Sequence, residues 1–342
     1  MKEFTNWTQL KKPIIGLAPM DGITDAAFRE MVAKYSMPDV LFTEFVAVEG
    51  ITHGVSSLFK CFQRHKTETP IIAQLFGFDL KAFYKATFIA AELRFDGIDI
   101  NMGCPDNNIM KRGGGGALIG KPEHAKNIVK VVKEAVNDWY EGKTLENAQI
   151  APKIIEWIKS KTSPLSQKRN KLPVTVKTRT GLDHEITQEW ISQLLVVQPE
   201  AITLHGRTLL QMYKGLANWE EIGKAEALIH KTKTIFLGNG DIKTLDEARE
   251  RAKTYKLDGV LIGRGTLGDP WFFSGKVATQ KERFEAMREH SLLYLKYRPE
   301  LKLYPMRKHL AWYCTGFEGS RAMRDRLMKV VDLTDLDNLL PK

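Results

Sequence analysis

The chain has 342 residues, 43% hydrophobic and 27% charged, which suits one large folded unit plus a smaller one and excludes a largely disordered polymer. Its formal net charge of +10 points to a polyanionic partner, because clustered Lys and Arg gain affinity by releasing counterions from phosphates. Cys61, Cys104 and Cys314 form no CxxC pair and no His/Cys cluster at zinc spacing, so neither a disulfide framework nor a structural metal is expected.

The chain opens on Met1-Lys2-Glu3-Phe4 without an apolar leader, and no stretch of ~18 apolar residues follows, so a cytoplasmic protein with no membrane segment is expected. Ile14 to Leu17 is a short apolar run ending in Ala18-Pro19-Met20-Asp21-Gly22-Ile23-Thr24-Asp25, where Thr24 or Asp25 can cap a helix through Phe28 and Met31. Similar runs follow at Val40–Phe45, Pro70–Leu75 and Gly97–Asn101, with helical spacing over Leu80–Arg94. Next come Met102-Gly103-Cys104-Pro105 and four consecutive glycines, Gly113 to Gly116, ahead of a helix at Pro122–Val136. The glycines fit neither GxGxxG nor Walker spacing and read as a mobile loop or a flexible connector beside Cys104.

Asn137 to Lys171 reads as an insertion with a helix at Pro152–Lys159 and a basic tail, Lys159, Lys161, Lys168, Arg169 and Lys171, within reach of RNA. Four further runs lie at Pro173–Lys177, Ala201–His205, Thr234–Asn239 and Gly259–Arg264, separated by helices such as Glu189–Val197 and Leu245–Lys253. Eight strand and helix units in about 270 residues indicate the α/β class, a (β/α)8 TIM barrel over residues 1–275, with a doubly wound sheet as the rival architecture. From Lys281 to residue 342 the spacing is helical, giving a small C-terminal α-helical domain. Arg307-Lys308-His309 and Arg321, Arg324, Arg326 and Lys329 are its basic faces.

Polar residues gather at the strands' C-terminal ends: Met20, Asp21, Glu44, Gln74, Asn101, Lys177, Arg179, His205, Arg207, Asn239, Asp241 and Arg264. Singly each is more often structural, but in a barrel these ends share one mouth, where active sites of the fold lie. Gly238–Asp241 and Gly263-Arg264-Gly265 close the last two strands, where glycine-rich backbone and an arginine suit a phosphorylated cofactor. A lone cysteine is commonly an inert core thiol, yet its place at a strand end makes Cys104 the candidate reactive group.

Seven motifs in order resemble the tRNA-dihydrouridine synthase family: Ala-Pro-Met-Asp-Gly-Ile-Thr-Asp from Ala18, Asn-Met-Gly-Cys-Pro from Asn101, Pro-Val-Thr-Val-Lys-Thr-Arg-Thr-Gly from Pro173, Thr-Leu-His-Gly-Arg-Thr from Thr203, Gly-Asn-Gly-Asp from Gly238, Ile-Gly-Arg-Gly from Ile262 and Met-Arg-Lys-His-Leu-Ala-Trp-Tyr from Met306. The helical tail is most similar to the bacterial B-type branch. The resemblance implies an FMN enzyme that reduces uridine in tRNA, with NADPH or NADH as reductant and Cys104 giving a proton to C5 after hydride reaches C6. It implies that Pro19, Met20 and Asp21 border the flavin and that Gln74, Lys177 and His205 contact its ring or ribityl chain. It further implies that Asn239, Gly240, Asp241, Gly263 and Arg264 hold its phosphate, that Asn101 orients the uracil, and that Arg179 and Arg207 lie near substrate or phosphate. The helical domain is then expected to bind tRNA, and its removal from Lys281 onward to leave the flavin site intact. A flavin barrel acting on a free small molecule and a noncatalytic RNA-binding protein are the alternatives. The sequence leaves the oligomeric state open; a monomer is compatible with it.

Overall fold

The computed structural model describes residues 4–65, 67–162 and 169–341. Eight parallel strands run in chain order around a ring: β1 (Ile14–Leu17), β2 (Leu41–Ala47), β3 (Ile71–Phe76), β4 (Gly97–Met102), β5 (Val174–Arg179), β6 (Ala201–His205), β7 (Ile235–Asn239) and β8 (Gly259–Ile262). Neighbours in sequence pair from β2 to β8, and β1 returns to pair with β8. The remaining seam is drawn shut where Asp39 N–H donates to Ile15 O at 3.0 Å and Leu17 N–H donates to Val40 O at 2.9 Å. That closure decides for the barrel over the doubly wound sheet, whose first strand lies inside the strand order.

The strands are buried on both faces, helices covering the outside and side chains filling the inside, which is why they read as apolar runs rather than alternating ones. β5 runs on to Arg179, past the apolar run, and so carries Lys177 and Arg179 to the mouth in extended backbone. At the opposite end Phe4 and Trp7 join Phe42, Ile72, Leu237 and Leu261 in one apolar cluster, so the N-terminal segment plugs the barrel floor. Asp25 alone caps the helix Ala26–Tyr35, its carboxylate accepting from Phe28 N–H at 2.9 Å. Thr24 instead turns its hydroxyl back to Met20 N–H and O.

The region read as an insertion is built into the wall. The preceding helix extends over Pro122–Tyr140 and buries Trp139, so the irregular segment starts later than Asn137. The helix Pro152–Lys161 buries Ile154, Ile155 and Ile158 in the main core, and Trp157 meets Phe59 with ring centroids 4.4 Å apart. Of its basic tail, Arg169 is engaged internally, while Lys159, Lys161 and Lys171 stay exposed. Arg169 lies over the Trp139 ring, pairs with Glu92 at 2.8 Å and donates to Trp139 O and Lys143 O; Lys171 donates to Asn137 and Lys159 pairs with Glu146. Lys168 lies outside the described residues.

The C-terminal helices are Gln280–Tyr297, Arg307–Tyr313, Ser320–Leu327 and Leu333–Asp337; the first opens on a capping box between Thr279 and Glu282. Met287, Leu303, Met306 and Leu310 pack in one cluster with Ala27, Met31 and Trp271 of the barrel. Deleting residues from Lys281 onward therefore strips cover from barrel side chains. Among the described residues no helix is long and apolar enough to cross a membrane.

Candidate active site at the barrel mouth

β4 ends in a turn held on both polar sides. Asn101 Oδ1 accepts from the N–H groups of Gly103 at 3.0 Å and Cys104 at 2.9 Å, the local bonding for which Asn is favoured in turns. Arg179 Nε donates to Gly103 O at 2.8 Å, and Gly116 N–H donates to Cys104 O at 3.1 Å. Cys104 is only 7% exposed. Burial pushes its thiol up, and the Asp106 and Asp21 carboxylates add to this, while the Asp106 N–H and Arg179 pull the other way. The result is a protonated thiol rather than a thiolate nucleophile.

The four glycines are packed into this turn. Residues 113–116 are buried, Gly115–Gly120 forms a 3-10 helix, and a Cβ at Gly114 would stand 2.5 Å from Gly77 O. Close backbone approach, not looseness, explains the run.

Beneath the turn, Gln74 Nε2 and Thr175 Oγ1 donate to the Asp99 carboxylate at 2.6 and 2.5 Å, and Asn101 Nδ2 donates to Gln74 Oε1 at 3.0 Å. Burial pushes Asp99 up to about 6 against those two hydrogen bonds and Lys177. Burial, then Arg179, pushes Lys177 down to about 8, while Asp99 and Cys104 pull it back up. Lys177 Nζ has no hydrogen-bond partner among the described residues. Gln74, expected at the flavin ring, is fully buried and tied to Asp99 and Asn101, so it orients the Asn101 amide. Asn101, expected at the uracil, has its oxygen committed to the Cys104 turn, leaving one amide N–H.

Across the mouth, Arg207 Nη2 donates to Asp241 at 2.5 Å and to Gly215 O at 2.8 Å, while Nη1 approaches His205 Nε2 at 3.3 Å. Arg264 donates to the other Asp241 oxygen at 2.6 Å, and Ala217 N–H shares the first at 2.8 Å. Burial would raise Asp241, but Arg207, the Ala217 N–H and Arg264 hold it below its ordinary value. Burial, with Lys177, Arg179, Arg207 and Arg264 around it, keeps His205 well below its ordinary value and hence neutral. Gly240, at φ +136°, lies against Ala217 and His205, where any Cβ would collide. Asn239 donates to Leu261 O at 2.8 Å and joins β7 to β8. Arg179 and Arg207, expected near substrate or phosphate, have buried guanidiniums taken up by backbone carbonyls and Asp241, and burial pushes Arg179 down to about 10.

The third side of the mouth is the loop after β1. Gly22 N–H donates to Glu44 at 2.7 Å, and Lys308 Nζ donates to Gly22 O at 2.5 Å, so a barrel carboxylate and a helical-domain lysine clamp one peptide unit. Burial first, with Asp25 and Asp21, pushes Glu44 up to about 7. The Met306 motif belongs to this junction rather than to an open basic face. His309 is buried against Phe28, and Arg307 donates to Val330 O and Lys329 O. Arg321, Arg326 and Lys329 remain exposed, whereas Arg324 donates to Cys314 O.

Asp99 belongs to none of the expected site residues, although an acid inside an apolar strand is a signal of a buried polar network. Tyr213, equally unmarked in the sequence, is 67% exposed on the rim with the Arg264 guanidinium 5.6 Å over its ring.

Residues 16–145 and 145–342 match the family described as dihydrouridine synthase (Dus). The "Probable tRNA-dihydrouridine synthase 1" of Synechocystis is 33% identical over 341 residues, covering 94% of this chain and 84% of that protein. The "Probable tRNA-dihydrouridine synthase 2" of Bacillus subtilis is 31% identical over 343 residues, covering 98% of this chain and 95% of that protein. Among solved structures, DHODH from Eimeria tenella in complex with ferulenol superposes with a TM-score of 0.50 at 10% identity over 82% of each chain, a likeness of fold alone.

Proposed function

Because the chain belongs to the dihydrouridine synthase family, we propose that it reduces uridines of tRNA to 5,6-dihydrouridine, with FMN as its flavin and NADPH or NADH as reductant. The observation that carries this reading is Cys104, a buried, protonated thiol in a turn clamped by Asn101 and Arg179, beside an ammonium, Lys177, with no hydrogen-bond partner among the described residues. Residues 1–275 are the catalytic barrel in this reading and 281–342 the RNA-binding unit, working on tRNA in the cytoplasm.

The residues present fit a flavin phosphate ester. Lys177 and the neutral His205 offer the ring system or ribityl chain a donor and a polar contact, and Pro19, Met20 and Asp21 border it. Arg264, half-exposed with only Nη2 on Asp241, keeps further N–H groups for a phosphate beside Gly240 and Gly263. Asp241 aims Arg264 and Arg207 rather than touching the anion, and the three together carry one net positive charge. Bound FMN, when reduced, supplies the hydride that C6 of the uracil accepts.

Cys104 holds the proton that C5 then takes. Its raised pKa keeps the proton-donating form present as pH rises past the ordinary thiol range, so turnover falls only at higher pH than a free thiol would allow. The uracil reaches this depth only if its nucleotide is extruded from the folded RNA. The remaining N–H of Asn101 is available to it, and Arg321, Arg326 and Lys329 offer cations to the RNA backbone.

The test is tRNA reduction by the FMN-reconstituted protein, scored by mapping dihydrouridine. The wild type is expected to form it, and Cys104→Ala to bind FMN with an unchanged flavin spectrum while losing most turnover. Full product formation by that variant would sink the assignment of Cys104.

A further inference from the structure

We propose that a cleft on the outer rim, between the segments after β3 and β4, seats backbone phosphates of the RNA strand that flanks the extruded nucleotide. This rests on the reading that RNA is the substrate.

The cleft has a volume of about 550 Å³, with Phe78, Asp79 and Lys81 on one wall and Arg112, Lys121 and His124 on the other. Lys81, Arg112 and Lys121 are exposed, and their side chains have no hydrogen-bond or ion-pair partner among the described residues. Arg169, Arg179, Arg207 and Arg307 behave differently, each guanidinium being taken up inside the protein. The one carboxylate in the lining, Asp79, is engaged by Ala82 N–H at 2.7 Å. His124 Nε2 meets Phe78 O at 2.7 Å and ties the two walls together. The helices Leu80–Glu92 and Pro122–Tyr140 both start at the cleft; Asp79 caps the first, while the second has no side-chain cap and carries Glu123 in its first turn, paired with Lys126.

The cleft is coupled to the thiol through packed backbone. Gly113 lines it, Gly114 lies against Gly77, and Gly116 N–H holds Cys104 O. Its lining comes from the starts of two outer helices and from Arg112 and Gly113 of the loop after β4, and includes neither Lys177 nor Asp99. A polynucleotide crossing the rim passes over it, whereas a reductant working at the bottom of the mouth does not.

The test compares Arg112→Ala/Lys121→Ala with Lys231→Ala/Lys233→Ala, the second pair being exposed residues just before β7 on the opposite end of the barrel. Binding of a tRNA transcript to the FMN-loaded protein is measured against salt, alongside the KM for NADPH in flavin reduction without RNA. The cleft pair is expected to lose about tenfold in tRNA affinity and to lower the slope of log K against log salt by roughly 1.5 to 2, with the NADPH KM unchanged. The control pair is expected to keep the wild-type slope. An unchanged slope, an equal loss in the control, or a raised NADPH KM overturns the proposal, the last by assigning the cleft to the dinucleotide's phosphate. Binding needs no turnover, so failure of the wild type to make dihydrouridine defeats the functional reading separately.

Discussion

Asn101 makes three hydrogen bonds with one amide, two inward to the Cys104 turn and one to Gln74. Removing it leaves two turn N–H groups without their acceptor, at about 1–3 kcal/mol for each one left buried. Asn101→Ala is therefore expected to lower kcat by roughly 10- to 100-fold through a misplaced thiol, with tRNA affinity little changed. A large fall in tRNA affinity at unchanged kcat would instead restore a pure substrate-binding role. The strand-end position of Asn101 was legible in the sequence, and so was that of Cys104. The inward direction of Arg179 and Arg207 was not, because it is set by carbonyls of Gly103, Thr208 and Gly215 that come together only in the folded loops.

At the level of elements, the helix Ala26–Tyr35 is fixed by Arg29, whose guanidinium donates to Thr24 O at 2.7 Å and Gln63 O at 2.6 Å and lies 3.2 Å from Glu68. Both members of that ion pair are fully buried. A buried pair adds little net stability over an apolar replacement, but breaking it strands a charge. Arg29→Met is expected to lose about 3 kcal/mol or more, measured by urea unfolding, whereas replacing both partners together with apolar residues should recover part of the loss. All eight strands were readable because burial on two faces demands continuous apolar runs. The glycine run was misread because its partners, Gly77 and the Cys104 turn, are distant or irregular in sequence; the helix Pro152–Lys161 was readable, but its packing into the wall was not, because Phe59 is remote from it.

For the whole molecule, net charge alone named the partner class without placing the contact. Of the basic stretches singled out in the sequence, Arg169 of the insertion tail and the Met306 motif are engaged internally, and exposed charge is found on Lys161, at the rim cleft and on Arg321, Arg326 and Lys329. The barrel and the helical region share a core around Ala27, Met31 and Trp271, so the two are expected to melt together rather than in separate steps.

The seam between β1 and β2 gives the ring a place to breathe. Elsewhere each strand is held by a ladder of parallel pairing, but here the described residues supply two backbone bonds, helped by the Asp39 carboxylate accepting from Ile15 N–H at 2.7 Å. Local opening needs less free energy where fewer bonds must break together. Amide deuterium uptake at Leu17 and Asp39 is accordingly expected to outpace that of the β4–β5 ladder. Because β1 leads straight into residues 18–22, an occupant of the mouth that grips this edge should slow uptake at the seam without touching it. Exchange at two amides thus becomes a gauge of how firmly the mouth is filled.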